Sequence, residues 1–163
     1  MENKILESLT ILIDTREKKI DHITNYFNVH KIRHRKHKLD FGDFSFEYQI
    51  NDKVISMESK YSIERKANLE ELSNNLAAER ARFERELQRA KGSNFILLIE
   101  NSSYNKMING KYKTRLNPKS YLMSLNIFME RYGFSTMYLD GQNTTGNYIY
   151  YKFKAILQEI LKT

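Results

Sequence analysis

Cysteine is absent from this 163-residue chain, and proline occurs once, at Pro118. Without a thiol there is no disulfide and no thiolate-held metal site, so an intracellular, cytoplasmic setting is expected. Six glycines and one proline leave no Pro/Gly-rich linker. There is also no repeat and no low-complexity tract, and a single domain over 1–163 is expected. Long apolar runs are missing too. The N-terminal MENKILESLTILID is charged, with too short an apolar stretch for a signal peptide or a membrane span. No later run is long enough either, so no membrane partner is expected.

Positive charge is what the chain has in excess. It carries 27 Lys+Arg against 20 Asp+Glu, a net charge of +7 and a pI near 9.4. That balance favours a polyanionic partner. A hydrophobic content of 40% with 29% charged residues suits a globular domain that buries a substantial core.

Periodicity then orders the elements. Leu9 to Ile13 is a short, β-branched apolar run ending at Asp14, which predicts a buried strand. Ile20, Ile23, Tyr26 and Phe27 recur at helical spacing, and Lys31 to Lys38 (KIRHRKHK) reads as extended and exposed. Phe44, Phe46, Tyr48 and Ile50 alternate with polar residues. With the turn signal Asn51-Asp52 and the strand-like Val54–Met57 they predict a hairpin. Leu69, Leu72, Leu76, Phe83, Leu87 and Ala90 mark one long helix closed by Gly92, with a gap in the apolar steps near Arg80. Phe95–Ile99 is a second buried strand ending at Glu100, and residues 101–116 read as a basic loop. Asn117-Pro118 opens a helix to about Tyr132. Ser135–Leu139 is a further strand, and Thr144 to Leu161 a last, aromatic-rich helix. Strands alternating with helices indicate an α/β domain with a mixed central sheet.

Chemistry concentrates in Gly42-Asp43 and Glu64-Arg65-Lys66. A strand repeats every two residues, so Glu64 and Lys66 share one face and Arg65 takes the other. Two carboxylates converging with one lysine can hold a divalent cation, position a water and screen phosphodiester charge. In that reading Asp43 and Glu64 are metal ligands, while Lys66 orients water and stabilises transition-state charge. The bland alternatives are a turn aspartate at 43 and an ordinary charge pair at 64 and 66. Asp14, at a strand's C-terminal end, is a candidate third ligand.

The string Ile13-Asp14-Thr15-Arg16-Glu17, Gly42-Asp43-Phe44, Glu64-Arg65-Lys66, Arg80 and Leu97-Leu98-Ile99-Glu100 resembles the pattern of the XPF-type structure-specific endonucleases. Their nuclease domain is a branch of the restriction-endonuclease-like PD-(D/E)xK fold. The likeness covers roughly residues 10–140. It implies an α/β fold with a central mixed β-sheet flanked by helices. It also implies a metal-dependent DNA endonuclease using Mg²⁺ or Mn²⁺ on branched, flapped or junction DNA. Asp14, Asp43 and Glu64 would ligate the metal, with Lys66 and Arg65 completing the catalytic set. Arg16, Glu17 and Arg65 would support the ligands or contact phosphate. Arg80 would face the active site and contact DNA.

The family acid four residues beyond the lysine corresponds to Glu70, or to Glu71 with one inserted residue. The gap of about twenty residues between Gly-Asp and E-R-K is longer than in many members. Neither the paired glycine hairpins of a helix-hairpin-helix module nor a P-loop is present, so a free-standing nuclease domain of the small phage or bacterial kind is expected. Competing readings are a catalytically silent DNA-binding module and a site-specific restriction enzyme.

Other clusters are weighed against plain structure. Arg33, Arg35, Lys36 and Lys38 are a candidate DNA-backbone clamp or a solvated face. His30, His34 and His37 have helical metal spacing but no specific acid or thiol partner. Arg82, Arg85 and Arg89 are expected to form surface pairs with Glu79, Glu84 and Glu86. The apolar breadth of 144–161, with Tyr148, Tyr151, Ile156, Leu157, Ile160 and Leu161, predicts a homodimer interface on the last helix.

Overall fold

In the computed structural model, which describes residues 1–163, the elements run α1 (Glu2–Glu7), β1 (Thr10–Ile13), α2 (Asp21–Val29), β2 (Arg33–Lys36), β3 (Phe44–Ile50), β4 (Lys53–Ser56) and β5 (Tyr61–Lys66). There follow α3 (Leu69–Leu76), α4 (Arg80–Ala90), β6 (Asn94–Ile99), α5 (Tyr104–Ile108), α6 (Pro118–Tyr132), β7 (Ser135–Tyr138) and α7 (Thr145–Lys162). The strands make one mixed sheet in the order β2-β1-β3-β5-β6-β7, with β4 added to β3. β1 and β2 are parallel, as are β5, β6 and β7, whereas β3 runs antiparallel to β1, β4 and β5.

Each face of the sheet carries a core. One gathers Ile11, Ile13, Phe44, Phe46, Ile63 and Leu98 under α1, α2 and α7. The other gathers Leu97 and Ile99 under α3, α4, α5 and α6, through Leu72, Phe83, Tyr121 and Phe128. Alternation in β6 divides Leu98 from Leu97 and Ile99, as the period of a strand requires. The continuous FILLI run therefore serves both cores.

Local chemistry sets the element ends. Asn51 and Asp52 both take positive φ, 49° and 61°, which a two-residue turn matching the strand twist demands. The Asn117 side chain accepts the Ser120 N–H, and Pro118 sits in the first turn. The KIRHRKHK segment is extended as expected, and its middle becomes the exposed edge strand β2.

Three features depart from the sequence reading. The long helix expected over 69–90 is two, α3 and α4, broken at Ala77 (φ −117°, ψ −93°). The gap in apolar steps near Arg80 marks this break, which lets Leu76 and Phe83 reach the same core from differently directed axes. The loop expected over 101–116 contains the short helix α5, capped by the Ser103 hydroxyl accepting the Lys106 N–H. The N-terminal residues form α1, docked through the buried Ile5. No helix is long and apolar enough to cross a membrane.

Candidate active site

β3 meets β5 only at Phe44↔Ile63. Beyond that pair the chain turns through Gly42 and wedges Asp43 between the ends of β1 and β5. The Asp43 N–H donates to the Ile63 carbonyl (2.8 Å), and the Asp14 N–H donates to the Asp43 carbonyl (2.8 Å). Only glycine fits at 42. Its φ is +74°, and a Cβ there would lie 2.8 Å from Ser62 Cβ. The Arg65 N–H then donates to Asp43 Oδ2 (2.7 Å), which fixes the carboxylate beside the E-R-K strand.

Glu64 and Lys66 do share a face, and Lys66 Nζ donates to Glu64 Oε1 at 3.1 Å. Both residues are 6% exposed. The Lys66 ammonium also stands 5.2 Å from the Phe83 ring centre, a cation–π contact. Glu64 Oε2 is buried with no hydrogen-bond partner. An orphaned carboxylate oxygen at the base of a cleft is costly unless something cationic or protic meets it.

Above these residues opens a cleft of about 510 Å³. Its floor is Asp14, Gly42, Asp43, Glu64 and Lys66; Arg16 and Glu17 form one rim, and α3 and α4 form the opposite wall. Burial pushes the Glu64 carboxyl well above the ordinary value, and the charges of Asp43 and Glu86 push it further against the pull of Lys66. Asp43 is likewise raised, by burial and then by Glu17, against its hydrogen bond from Arg65. For Lys66, burial lowers the ammonium, but Glu64, Asp43 and Glu86 together outweigh it and hold it up. The floor thus concentrates negative charge around one lysine.

Asp14, the candidate third ligand, also lines the cleft, and both of its oxygens are engaged by protein donors. Oδ2 accepts from Arg16 Nε (2.9 Å) and the Arg16 N–H, and Oδ1 accepts from the Leu39 N–H (2.9 Å) and Arg16 Nη2 (3.2 Å). Burial raises its carboxyl, yet these bonds outweigh it and hold the group below the ordinary value. In this conformation Asp14 is a clasp for Arg16, and no set of three acidic or histidine side chains stands ready to cage a metal. Asp43 and Glu64 are the residues that could hold Mg²⁺, an ion that commonly takes one or two carboxylates with waters and substrate phosphate completing its shell. The free Glu64 Oε2 and the hard-oxygen donor set fit such an ion.

Arg65 lies on the opposite face of β5. It joins Glu100 (2.6 Å) and Glu17 (3.2 Å), while Glu100 accepts from Thr145 Oγ1 and pairs with His22 Nε2 at 2.6 Å. This cluster ties β5 to α2, α7 and the end of β6. Glu71 lines the cleft, with Oε2 accepting the Ala67 N–H, while Glu70 turns away to the Lys113 N–H. Arg80, expected to face the site, instead places its guanidinium 4.7 Å over the Phe128 ring and is not part of the cleft lining. The α3–α4 break redirects it.

Arg33, Arg35 and Lys36 lie on the outer edge strand, outside the cleft lining; Arg35 is held by Glu47 through two bonds of 2.8 Å, and Lys36 Nζ donates to the carbonyl of the rim residue Glu17 (3.4 Å). The histidines do not converge either: His30 stacks on Tyr26, His34 binds the Ile32 carbonyl, and His37 pairs with Glu58. Glu86 is one of the cleft residues missed from sequence, with Arg82, Arg85 and Arg89 of the same helix. Its Oε1 accepts the Gly42 N–H at 3.4 Å, and its place between the buried Phe83 and Leu87 on α4 was the available signal.

No curated protein matches this chain in sequence. Among solved structures it is similar to XPF from Aeropyrum pernix (TM-score 0.67, 14% identity, covering 94% of this chain and 69% of that one). It is also similar to that protein in complex with DNA (TM-score 0.65, 13% identity, 93% and 66%). These likenesses establish the restriction-endonuclease-like fold. The ERCC4 domain profile matches residues 13–152, a span that holds the whole cleft floor and both of its walls, so the chain belongs to the ERCC4 domain family.

Proposed function

We propose that this protein is a metal-dependent endonuclease that hydrolyses phosphodiester bonds in DNA, with branched, flapped or junction DNA as its preferred substrate. The observation that carries the reading is the partnerless, buried Glu64 Oε2 beside Lys66 Nζ on the cleft floor. Family membership and the DNA-bound state of the similar XPF structure support DNA as the polyanion.

Asp43 and Glu64 are the residues that would hold Mg²⁺ or Mn²⁺. The ion, when bound, supplies a Lewis acid and lowers the pKa of a coordinated water. The protein contributes the rest. Arg65, through its main-chain N–H, aims the Asp43 carboxylate, and its buried side chain immobilises the strand that carries Glu64 and Lys66. Lys66 keeps its proton, so it can orient the attacking water and oppose the charge that grows on the phosphoryl oxygens. Arg16 is 64% exposed along its side chain and can reach a phosphate at the rim. Glu17 has a buried, unpartnered Oε2 of its own and sits where it raises Asp43.

Cleavage of labelled flap, fork, four-way and linear DNA, with Mg²⁺, Mn²⁺ or EDTA, tests the reading. We expect metal-dependent cuts enriched on the branched substrates. No cleavage of any substrate with either metal, or cleavage indifferent to EDTA, would overturn it.

A further inference from the structure

Of the glutamates expected to pair with Arg82, Arg85 and Arg89 of α4, Glu79 does meet Arg82, and the structure places Glu84 and Glu86 elsewhere. Glu84 accepts from Arg131 (3.0 Å) and from the Tyr132 hydroxyl (3.1 Å) across the helix pair. Glu86 turns to the cleft floor and the Gly42 N–H. Glu79 meets Arg82 only at 3.4 Å, with the Arg82 side chain 80% exposed. Arg85 has no acidic partner at all, and Arg89 spends its Nε on the Asp40 carbonyl. All three side chains line the cleft above Glu64 and Lys66.

Spacing makes them a row. Steps of three and four residues keep Arg82, Arg85 and Arg89 on one helix face. At 1.5 Å per residue they span about 10 Å of axis, close to the rise of three nucleotides in one DNA strand at about 3.4 Å each. Phe83 and Leu87 anchor the opposite face of α4 in the core, so the row is held on a rigid support. By contrast, on the basic edge strand Arg35 is locked to Glu47, Lys36 Nζ donates to the Glu17 carbonyl (3.4 Å), and none of Arg33, Arg35 and Lys36 lines the cleft.

We infer that Arg82, Arg85 and Arg89 form the phosphate track that seats one DNA strand over the acidic floor, in place of the Arg33–Lys36 edge. The inference rests on the proposed nuclease reading for the identity of the strand and of the bond cut. The track explains how a floor rich in carboxylates can receive a polyanion. Guanidiniums meet the phosphates flanking the cut, while the acids face only the reacting one.

The test is fluorescence anisotropy of a forked duplex in EDTA over a salt series, so that binding is read without cleavage. Replacing Arg82, Arg85 and Arg89 together by Ala should flatten the log–log salt slope by about two to three units. Replacing Arg33, Arg35 and Lys36 should change it by less than about one. Exchanging the three α4 arginines for lysine instead keeps the charge and should restore the slope. The single Arg85→Glu, at a position with no partner to lose, should weaken binding at least about tenfold at low salt. An unchanged slope in the Ala triple, or unchanged affinity in Arg85→Glu, overturns the track. If the wild type binds and the variants lose binding, yet the wild type cuts no substrate, the track stands and the nuclease reading falls. A wild type that binds no DNA overturns both.

Discussion

Removing one carboxylate at a time tests the floor most directly. Glu64→Gln and Asp43→Ala should abolish cleavage while leaving duplex affinity equal or slightly higher, because negative charge facing phosphate is lost. Cleavage within about tenfold of wild type, roughly 1.4 kcal/mol of barrier, would remove either residue from the metal site. The same groups give the metal-free protein an unusual pH dependence. Asp43 and Glu64 are raised in the folded state, so they hold protons that the unfolded chain has already released. Their contribution to stability is present in acid and is lost as pH rises through the folded values. Asp14 is lowered, so its contribution is present above the ordinary aspartate value and is lost as pH falls through the folded one. Thermal melting in EDTA should therefore peak in mild acid and decline toward neutrality. Glu64→Gln should lessen that decline and melt above wild type at pH 7. A wild-type melting temperature that climbs from pH 5 to 7 without metal contradicts this.

At the scale of elements, the site depends on how closely the Gly42 turn approaches β5. Gly42→Ala sets a Cβ against Ser62 at 2.8 Å and forces a positive φ, whereas Gly92, also at positive φ, has open space around it. The first substitution should cost about 2–4 kcal/mol and the second about 1 kcal/mol, measured by denaturant unfolding. Equal costs would mean the turn relaxes freely. The Arg65–Glu100 pair is the second joint. Arg65→Ala leaves the buried Glu100 Oε1 without its partner while His22 and Thr145 still hold Oε2, and should destabilise the fold by about 1–3 kcal/mol. It should also misplace Asp43's neighbours. Arg80, against the expectation from resemblance, packs its guanidinium on Phe128, so the charge-removing Arg80→Met is expected to leave the salt dependence of DNA binding near wild type. A slope reduced by a full unit would return it to the interface.

For the whole molecule, the open matter is assembly. α7 gives Ile149, Phe153 and Leu157 to the protein's own core, and Tyr148, Ile156, Ile160 and Leu161 pack against it. What remains outward is Tyr151, 55% exposed, with grooves beside Lys152 and Ile156. The surface offered to a second copy is thus narrower than the apolar sequence of this helix suggests. A homodimer on α7 predicts twice the 19.5 kDa chain mass by light scattering at micromolar concentration, and Tyr151→Glu should split it. A monomer that still selects branched DNA would remove dimerisation from the mechanism.

Much of this was legible before any fold was seen, because it depends on neighbours in the chain. The period of two in β5 assigns Glu64 and Lys66 to one face and Arg65 to the other, and Asn117-Pro118 opens α6 on local capping alone. Glycine followed by aspartate at 42–43 announces a turn with an acid on it. The α3–α4 break was visible only as a missed apolar step. Its consequence was not, since where a redirected helix points depends on the core it meets. Partners distant in sequence were hidden altogether: Glu86 reaching Gly42 across 44 residues, Glu84 taken by Arg131, and Asp14 bound to the Leu39 N–H. Residue types and their faces follow from the chain, whereas which charge is neutralised and which is left for a ligand is a sum over long-range contacts. Tertiary structure alone makes that sum, and here it leaves one carboxylate oxygen on the floor and three arginines on the wall without strong acidic partners.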